Sequence, residues 1–198
     1  METADIGHEL FIYIRTILGM VLGLALGRLL SGLARFVQTS GERRIYLIHI
    51  AWVAYLFLSI VTFWWWEVQL VRVETWTLAQ YLFLIAYASS FFFLCALLFP
   101  DVPSGSDSHT GYLLARRHWF FGFLALNLGA DFIDTAMKGW DYFESFGLAY
   151  VAKNLVLIGF SLIAIRTSSL RYHAAFALLA LGLEIGWTFW EYGSPSPL

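Results

Sequence analysis

Charged residues are scarce in this chain. Only 13% of its 198 residues are Asp, Glu, Lys or Arg, whereas soluble domains have about 25%. The shortage excludes a water-soluble globule, because too few charges remain to cover a surface that faces water. There is no run of basic residues, so we expect no nucleic-acid partner. With Cys95 as the only cysteine, neither an intrachain disulfide nor a thiolate metal site can form.

The sequence motifs of common enzymes are also missing. No Gly-x-Ser-x-Gly nucleophile elbow, His-Glu-x-x-His zinc motif or phosphate-binding loop occurs. His49, His118 and His173 lie near the ends of three apolar segments, which is more typical of membrane-interface residues than of a converging metal site. We therefore predict no metal and no cofactor, and we favour a non-enzymatic function.

Apolar residues dominate the composition. The chain is 60% hydrophobic and 19% aromatic, with a mean hydropathy of +0.69. Six segments approach or exceed the ~20 residues that a helix needs to cross a bilayer. They are 10–37, 45–66, 77–99, 118–138, 145–165 and 171–191. The sequence predicts an all-α bundle of six transmembrane helices that forms one domain over residues 1–198, with a loop rich in proline, glycine and serine at 100–115.

The basic residues predict the topology. They cluster in the first, third and fifth connections, whereas the second and fourth connections and both ends are mainly acidic or rich in tryptophan. By the positive-inside rule the odd connections are cytoplasmic and both termini lie outside. We expect a bacterial-type inner membrane, with the termini on the periplasmic side. The basic residues in question are Arg35, Arg43, Arg44, Arg116, Arg117, Arg166 and Arg171.

A weak internal repeat is visible in spans two, four and six. Each begins with basic and aromatic residues and ends with tryptophan beside an acid, as in Trp66-Glu67, Trp140-Asp141 and Trp190-Glu191. Three parallel repeats of a helix hairpin would produce this pattern. The same pattern also follows from the usual flanks of any helix that runs outward. Both interpretations stay open.

Span one carries a stripe of small residues at a spacing of four. Gly19, Gly23, Gly27 and Ser31 repeat the small-xxx-small pattern, which lets another helix approach closely. Packing within the chain and a subunit interface both explain this stripe. The second interpretation predicts a homo-oligomer, or assembly with partner membrane subunits.

Span four contains the most unusual feature, a polar stripe inside an apolar segment. Asn127, Asp131, Asp134 and Lys138 are separated by 4, 3 and 4 residues, so they share one face of a helix. A carboxylate in hydrocarbon costs about 2.5–3.5 kcal/mol on insertion scales. The stripe must therefore face protein or water rather than lipid, which makes it the first candidate for a functional site.

Charged residues of three other spans fall at similar depth. Counted from the predicted outer ends, Lys153, Glu184 and Arg15 lie in the same half of the bilayer as Asp131 and Asp134. Spans four and five are joined by a short connection, so they are antiparallel neighbours and Asp131 can pair with Lys153. The predicted site comprises Asp131, Asp134, Lys153, Glu184, Asn127, Asn154 and Arg15.

Three functions follow from this constellation. We favour a channel or transporter-like protein that binds or passes a proton, a small cation or a small polar solute through an outward-facing cavity, with Asp131 as acceptor and Lys153 as gate or counter-ion. In the alternative, the charges form a structural salt-bridge network and the protein is a non-catalytic subunit of a larger membrane complex. An intramembrane enzyme or sensor is a weaker third interpretation.

Overall fold

The structure, a computed structural model, describes residues 2–39, 47–73, 75–99 and 114–192. In these ranges the chain is helical and contains no strand. Six helices are long and apolar enough to cross a membrane, so the predicted all-α fold with six spans is confirmed. The helices are α1 (Glu2–Thr39), α2 (Leu47–Trp66), α3 (Leu78–Leu98), α4 (Arg117–Met137), the short α5 (Trp140–Ser145), α6 (Gly147–Arg166) and α7 (Leu170–Tyr192).

The helices differ from the predicted spans mainly at their ends. Helix α1 is longer than predicted, and α2 continues as a 3-10 helix over Glu67–Arg72. Part of the predicted fourth connection forms α5. Some parts of the prediction lie outside the described residues, among them Arg43 and Arg44 of the first connection, residues 45–46 of the predicted second span and residues 100–113 of the predicted loop.

Helix α2 lies at the centre of the bundle. It packs against α1, α3 and α7, while α1 also packs on α3 and α4 packs on both α3 and α6. Half of its apolar window is buried, against 28–44% for the other five spans. Residues on α2 are therefore placed to meet side chains from several other helices.

Part of the core consists of closely packed aromatic rings. Trp52 is fully buried on α2, and its ring centroid lies 5.2–5.6 Å from those of its four partners at steep angles. Edge-to-face packing of this kind adds stability beyond the burial of area. We call this group the aromatic cluster. It comprises Trp52, Tyr55, Phe120, Phe121 and Phe176.

Helix α1 uses one face for packing and leaves the glycine stripe largely uncovered. Its buried residues recur every three or four positions from Phe11 to Leu29. Gly19 lies against the Trp64 ring. By contrast Gly23 and Gly27 are exposed, with open space where a side chain would be. The helix therefore packs within the bundle through larger residues and does not use most of its small-residue stripe.

Candidate functional site

The carboxylate of Asp131 on α4 is held by three neutral donors. Tyr150 donates to Oδ2 at 2.6 Å and Asn154 donates to the same oxygen at 2.7 Å. Tyr87 on α3 donates to Oδ1 at 3.2 Å. No lysine or arginine in the described ranges lies within salt-bridge distance of Asp131. Within the described ranges its carboxyl oxygens are therefore bonded to neutral groups, and Oδ1, with one such bond against two for Oδ2, has more room for a ligand.

Two glycines place α6 opposite α4 at this site. Gly139 follows α4 with φ of 128° and Gly147 begins α6 with φ of 64°, conformations that favour glycine. The two turns reverse the chain within a short distance. Because Tyr150 and Asn154 are one helical turn apart on α6, both face Asp131.

Lys153 and Glu184 form an ion pair beside this carboxylate. The ammonium group of Lys153 lies 3.7 Å from the Glu184 carboxylate and 5.1 Å from the centre of the Trp187 ring. Thr62 on α2 donates to Glu184 at 3.3 Å. The predicted pairing of Asp131 with Lys153 is therefore wrong: Lys153 lies with the acid of α7 rather than with the acid of α4.

Asp134 belongs to a second and more deeply buried group. Lys138 donates to Asp134 and, at 2.8 Å, to Glu67 of the 3-10 helix. All three residues are at most 4% exposed. Burial alone would lower the pKa of Lys138, but the carboxylates of Asp134 and Glu67 raise it above the ordinary value for lysine. This triad ties the end of α4 to the end of α2.

Asp131 borders two small cavities. The first has a volume of about 40 Å³ and is also lined by Asn127, Lys153, Asn154 and Glu184. The second, about 10 Å³, lies between Asp131 and the buried triad. A water molecule needs roughly 10–15 Å³ and several polar partners, so the first cavity can hold water or a small ion.

An unsatisfied oxygen lies at the first cavity. Asn154 is fully buried, and its Oδ1 has no hydrogen-bond partner while its Nδ2 donates to Asp131. Buried amide oxygens without a partner are rare and costly, by about 1–3 kcal/mol. Asn154 Oδ1 and Asp131 Oδ1 therefore both offer lone pairs to an occupant of this region.

The charges around these cavities do not cancel. Among the described residues, four carboxyl groups line the cavities or pair with Lys138, those of Glu67, Asp131, Asp134 and Glu184, against the two ammonium groups of Lys138 and Lys153. If all six groups are ionised, the site carries two negative charges in excess. In a medium of low dielectric constant such an excess is costly, so protons or cations are needed to balance it.

The structure brings five of the seven predicted residues to one cavity and places two elsewhere. Asn127, Asp131, Lys153, Asn154 and Glu184 line the larger cavity, where Asn127 donates to Ser90 at 2.7 Å. Asp134 faces the smaller cavity. Arg15 lines neither cavity; its guanidinium carbon lies 4.9 Å from the centre of the Trp64 ring of α2.

Sequence reasoning missed three contributors to this site. The predicted second span ends at Trp66 and leaves Glu67 in a connection, yet Glu67 continues the buried face marked by Ile60 and Phe63 at helical spacing. The hydroxyls of Tyr87 and Tyr150 were also overlooked. Tyr150 has the clearer signal, because it lies four residues before Asn154 on the buried face of α6.

Within the described ranges, no three His, Cys, Asp or Glu side chains are grouped so as to hold a metal ion together. Comparison of the chain with protein-family models, with curated proteins and with solved structures finds no match.

Proposed function

We propose that this protein is a transporter-like membrane protein that binds a proton or a small cation at Asp131 and exchanges it with the outer side of the membrane. The observation that carries the proposal is a carboxylate inside the bundle that borders two cavities and is bound by three neutral donors and by no basic side chain of the described residues. Intramembrane carboxylates of this kind mark ion and proton pathways.

The size of the cavity narrows the class of ligand. Sites for small molecules usually have volumes of about 300–1,000 Å³. The first cavity at Asp131 has a volume of about 40 Å³. It suits a proton carried by water, or a bare cation, and it is too small for an organic solute.

The aromatic cluster is proposed to block passage of an ion from Asp131 to one end of the bundle. On α4, Phe120 and Phe121 lie about three turns before Asp131, toward the end of the bundle that carries Arg116 and Arg117. The fully buried Trp52 is packed against both of these rings, at centroid distances of 5.2 and 5.6 Å. We therefore propose that, in this conformation, an ion reaches and leaves Asp131 from the opposite end of the bundle, which we assign to the outside.

The buried triad is proposed to be structural. Lys138 is enclosed by two acids and is almost inaccessible, so it holds the ends of α2 and α4 together. Removing one partner of such a group is strongly destabilising. We therefore propose a structural role for Asp134 and a ligand-binding role for Asp131. Lys153 and Glu184 are the charged neighbours of Asp131.

Flux in liposomes tests the proposal. The purified protein is reconstituted with a pH-sensitive dye inside, and a proton or monovalent cation gradient is applied. Wild type and Asp131→Glu are expected to carry flux, and Asp131→Asn is expected to lose it. Asp141→Asn is the matched control, because this exposed acid lies outside the cavities. Equal flux in wild type and Asp131→Asn would refute the proposal.

Assembly with other subunits is the second candidate function. The observation that favours it is the uncovered part of the small-residue stripe on α1, at Gly23, Gly27 and Ser31. Such a surface suits close approach of a helix from a second copy or from a partner subunit. It does not compete with binding at Asp131, since the two features lie on different helices.

A further inference from the structure

Arg15 is a charged residue for which the described chain provides no anion. It lies six residues after Glu9, where the first span begins, and so about 9 Å into that span at ~1.5 Å per residue. No carboxylate of the described residues lies within salt-bridge distance of it. Its Nε is buried and has no hydrogen-bond partner. The guanidinium therefore has donors to spare in an apolar region.

Aromatic rings hold this guanidinium in place. Its central carbon lies 4.9 Å from the centre of the Trp64 ring and 5.5 Å from that of Phe11. Cation–π contacts stabilise a guanidinium group only modestly, whereas a charged arginine inside a membrane helix is costly. The rings fix the orientation of Arg15, and an anion would supply the remaining stabilisation.

A wide groove opens beside Arg15 on the surface of the bundle. Its volume is about 510 Å³, more than ten times that of the cavity at Asp131. Gly19 lies against the Trp64 ring, where a side-chain carbon would come within 3.0 Å of it, and Met20 is 65% exposed. The lining is apolar apart from Arg15 and Thr16, whose hydroxyl is already bonded to Ile12.

The geometry points to a phospholipid in this groove, with its phosphate on Arg15 and an acyl chain along Gly19, Met20 and Trp64. A phosphate accepts paired hydrogen bonds from the planar guanidinium group. The apolar lining matches the chain that is attached to that phosphate. Arginine near the end of a span also reaches toward the headgroup region, where phosphates are concentrated. This inference is independent of the ion site.

Native mass spectrometry with phosphatidylglycerol tests this site. The protein in detergent is titrated with the lipid, and the bound population is compared among variants. Wild type is expected to retain one tightly bound lipid. Arg15→Gln is expected to bind it about tenfold more weakly, because a charged hydrogen-bonding group is lost. Arg15→Lys is expected to be intermediate, since it keeps the charge but loses the planar fork.

Arg72→Gln is the matched control, because this exposed arginine near the same end of the bundle is bonded to Gln69 and stacked on Tyr142. It is expected to bind lipid as wild type does. Equal retention by wild type and Arg15→Gln would overturn the inference. So would displacement of the lipid by inorganic phosphate alone, or a dimer of the protein that covers the groove and excludes lipid.

Discussion

The hydroxyl of Tyr150 bonds to Asp131 Oδ2 at 2.6 Å and to the Thr135 hydroxyl at 2.9 Å. Tyrosine has a single hydroxyl proton, so when Tyr150 donates it to the carboxylate of Asp131, Thr135 must be the donor in the second bond. These two hydrogen bonds hold the side chains of Asp131 and Thr135 on α4 and of Tyr150 on α6 in fixed positions relative to one another. This arrangement leaves Asp131 Oδ1 as the oxygen with room for a ligand.

Removing the Tyr150 hydroxyl should destabilise the fold. In Tyr150→Phe, Asp131 loses its shortest hydrogen bond and Thr135 loses its partner. We expect the free energy of unfolding to fall by about 1–3 kcal/mol, as for a buried group left unsatisfied. Unfolding by denaturant in detergent measures this change. Tyr13→Phe is the control, because Tyr13 is 58% exposed, and an equal loss in both variants would contradict the account.

Replacing Lys138 should be among the most damaging changes in the bundle. Lys138→Met leaves Glu67 and Asp134 as buried carboxylates without a counter-ion. The expected loss in unfolding free energy is about 3–5 kcal/mol. Glu67→Gln and Asp134→Asn, added to Lys138→Met, should restore most of it. No recovery in this triple variant would show that the cost does not arise from unpaired charge.

The free energy of unfolding should decline at alkaline pH as Lys138 and Tyr142 lose their protons. The carboxylates around Lys138 raise its pKa, and burial raises the pKa of Tyr142 to about 12. Both groups hold their protons more tightly in the folded state. Their contribution is complete below about pH 10 and is lost as pH rises through the folded pKa values, by up to ~1.4 kcal/mol per pH unit for each proton.

Unfolding free energies measured from about pH 8 to about pH 12 test this decline, because this range brackets the ordinary pKa values of lysine and tyrosine, roughly 10. Tyr142→Phe should have a shallower decline than wild type between about pH 10 and pH 12. Identical slopes would mean that Tyr142 does not titrate in the way its burial implies.

A larger residue on the uncovered stripe should affect association and not folding. Nothing lies within 4 Å of a side-chain carbon added at Gly23. Gly23→Leu should therefore leave the unfolding midpoint nearly unchanged. If the stripe is an interface, it should dissociate any oligomer seen by light scattering in detergent. Gly186→Leu, at an equally open position on α7, is the control. A complex that survives Gly23→Leu would exclude this interface.

The spans and the polar face of α4 could be predicted because they depend on local sequence. A long apolar segment must be helical in a membrane, and a spacing of three and four residues places side chains on one face. This reasoning was sufficient to select Asp131, Lys153, Asn154 and Glu184, which line one cavity. It depended on depth along each helix, a quantity that the sequence specifies.

The pairing of these residues could not be predicted, because it depends on how each helix is rotated about its axis. Lys153 and Asn154 are adjacent in sequence, yet Lys153 lies with Glu184 while Asn154 lies with Asp131. Glu67 was missed for another reason. The 3-10 helix after Trp66 extends the span beyond its apolar part and keeps the carboxylate inside the protein.

Infrared difference spectroscopy of the purified protein tests the central claim most directly, since it detects a change at a single carboxyl group. On acidification or addition of a monovalent cation, we predict a carboxyl signal that is present in wild type and in Asp141→Asn and is absent in Asp131→Asn. A protonated acid band would identify a proton as the ligand, and a shifted carboxylate band would identify a cation. The same difference spectrum in Asp131→Asn as in wild type would contradict binding at Asp131.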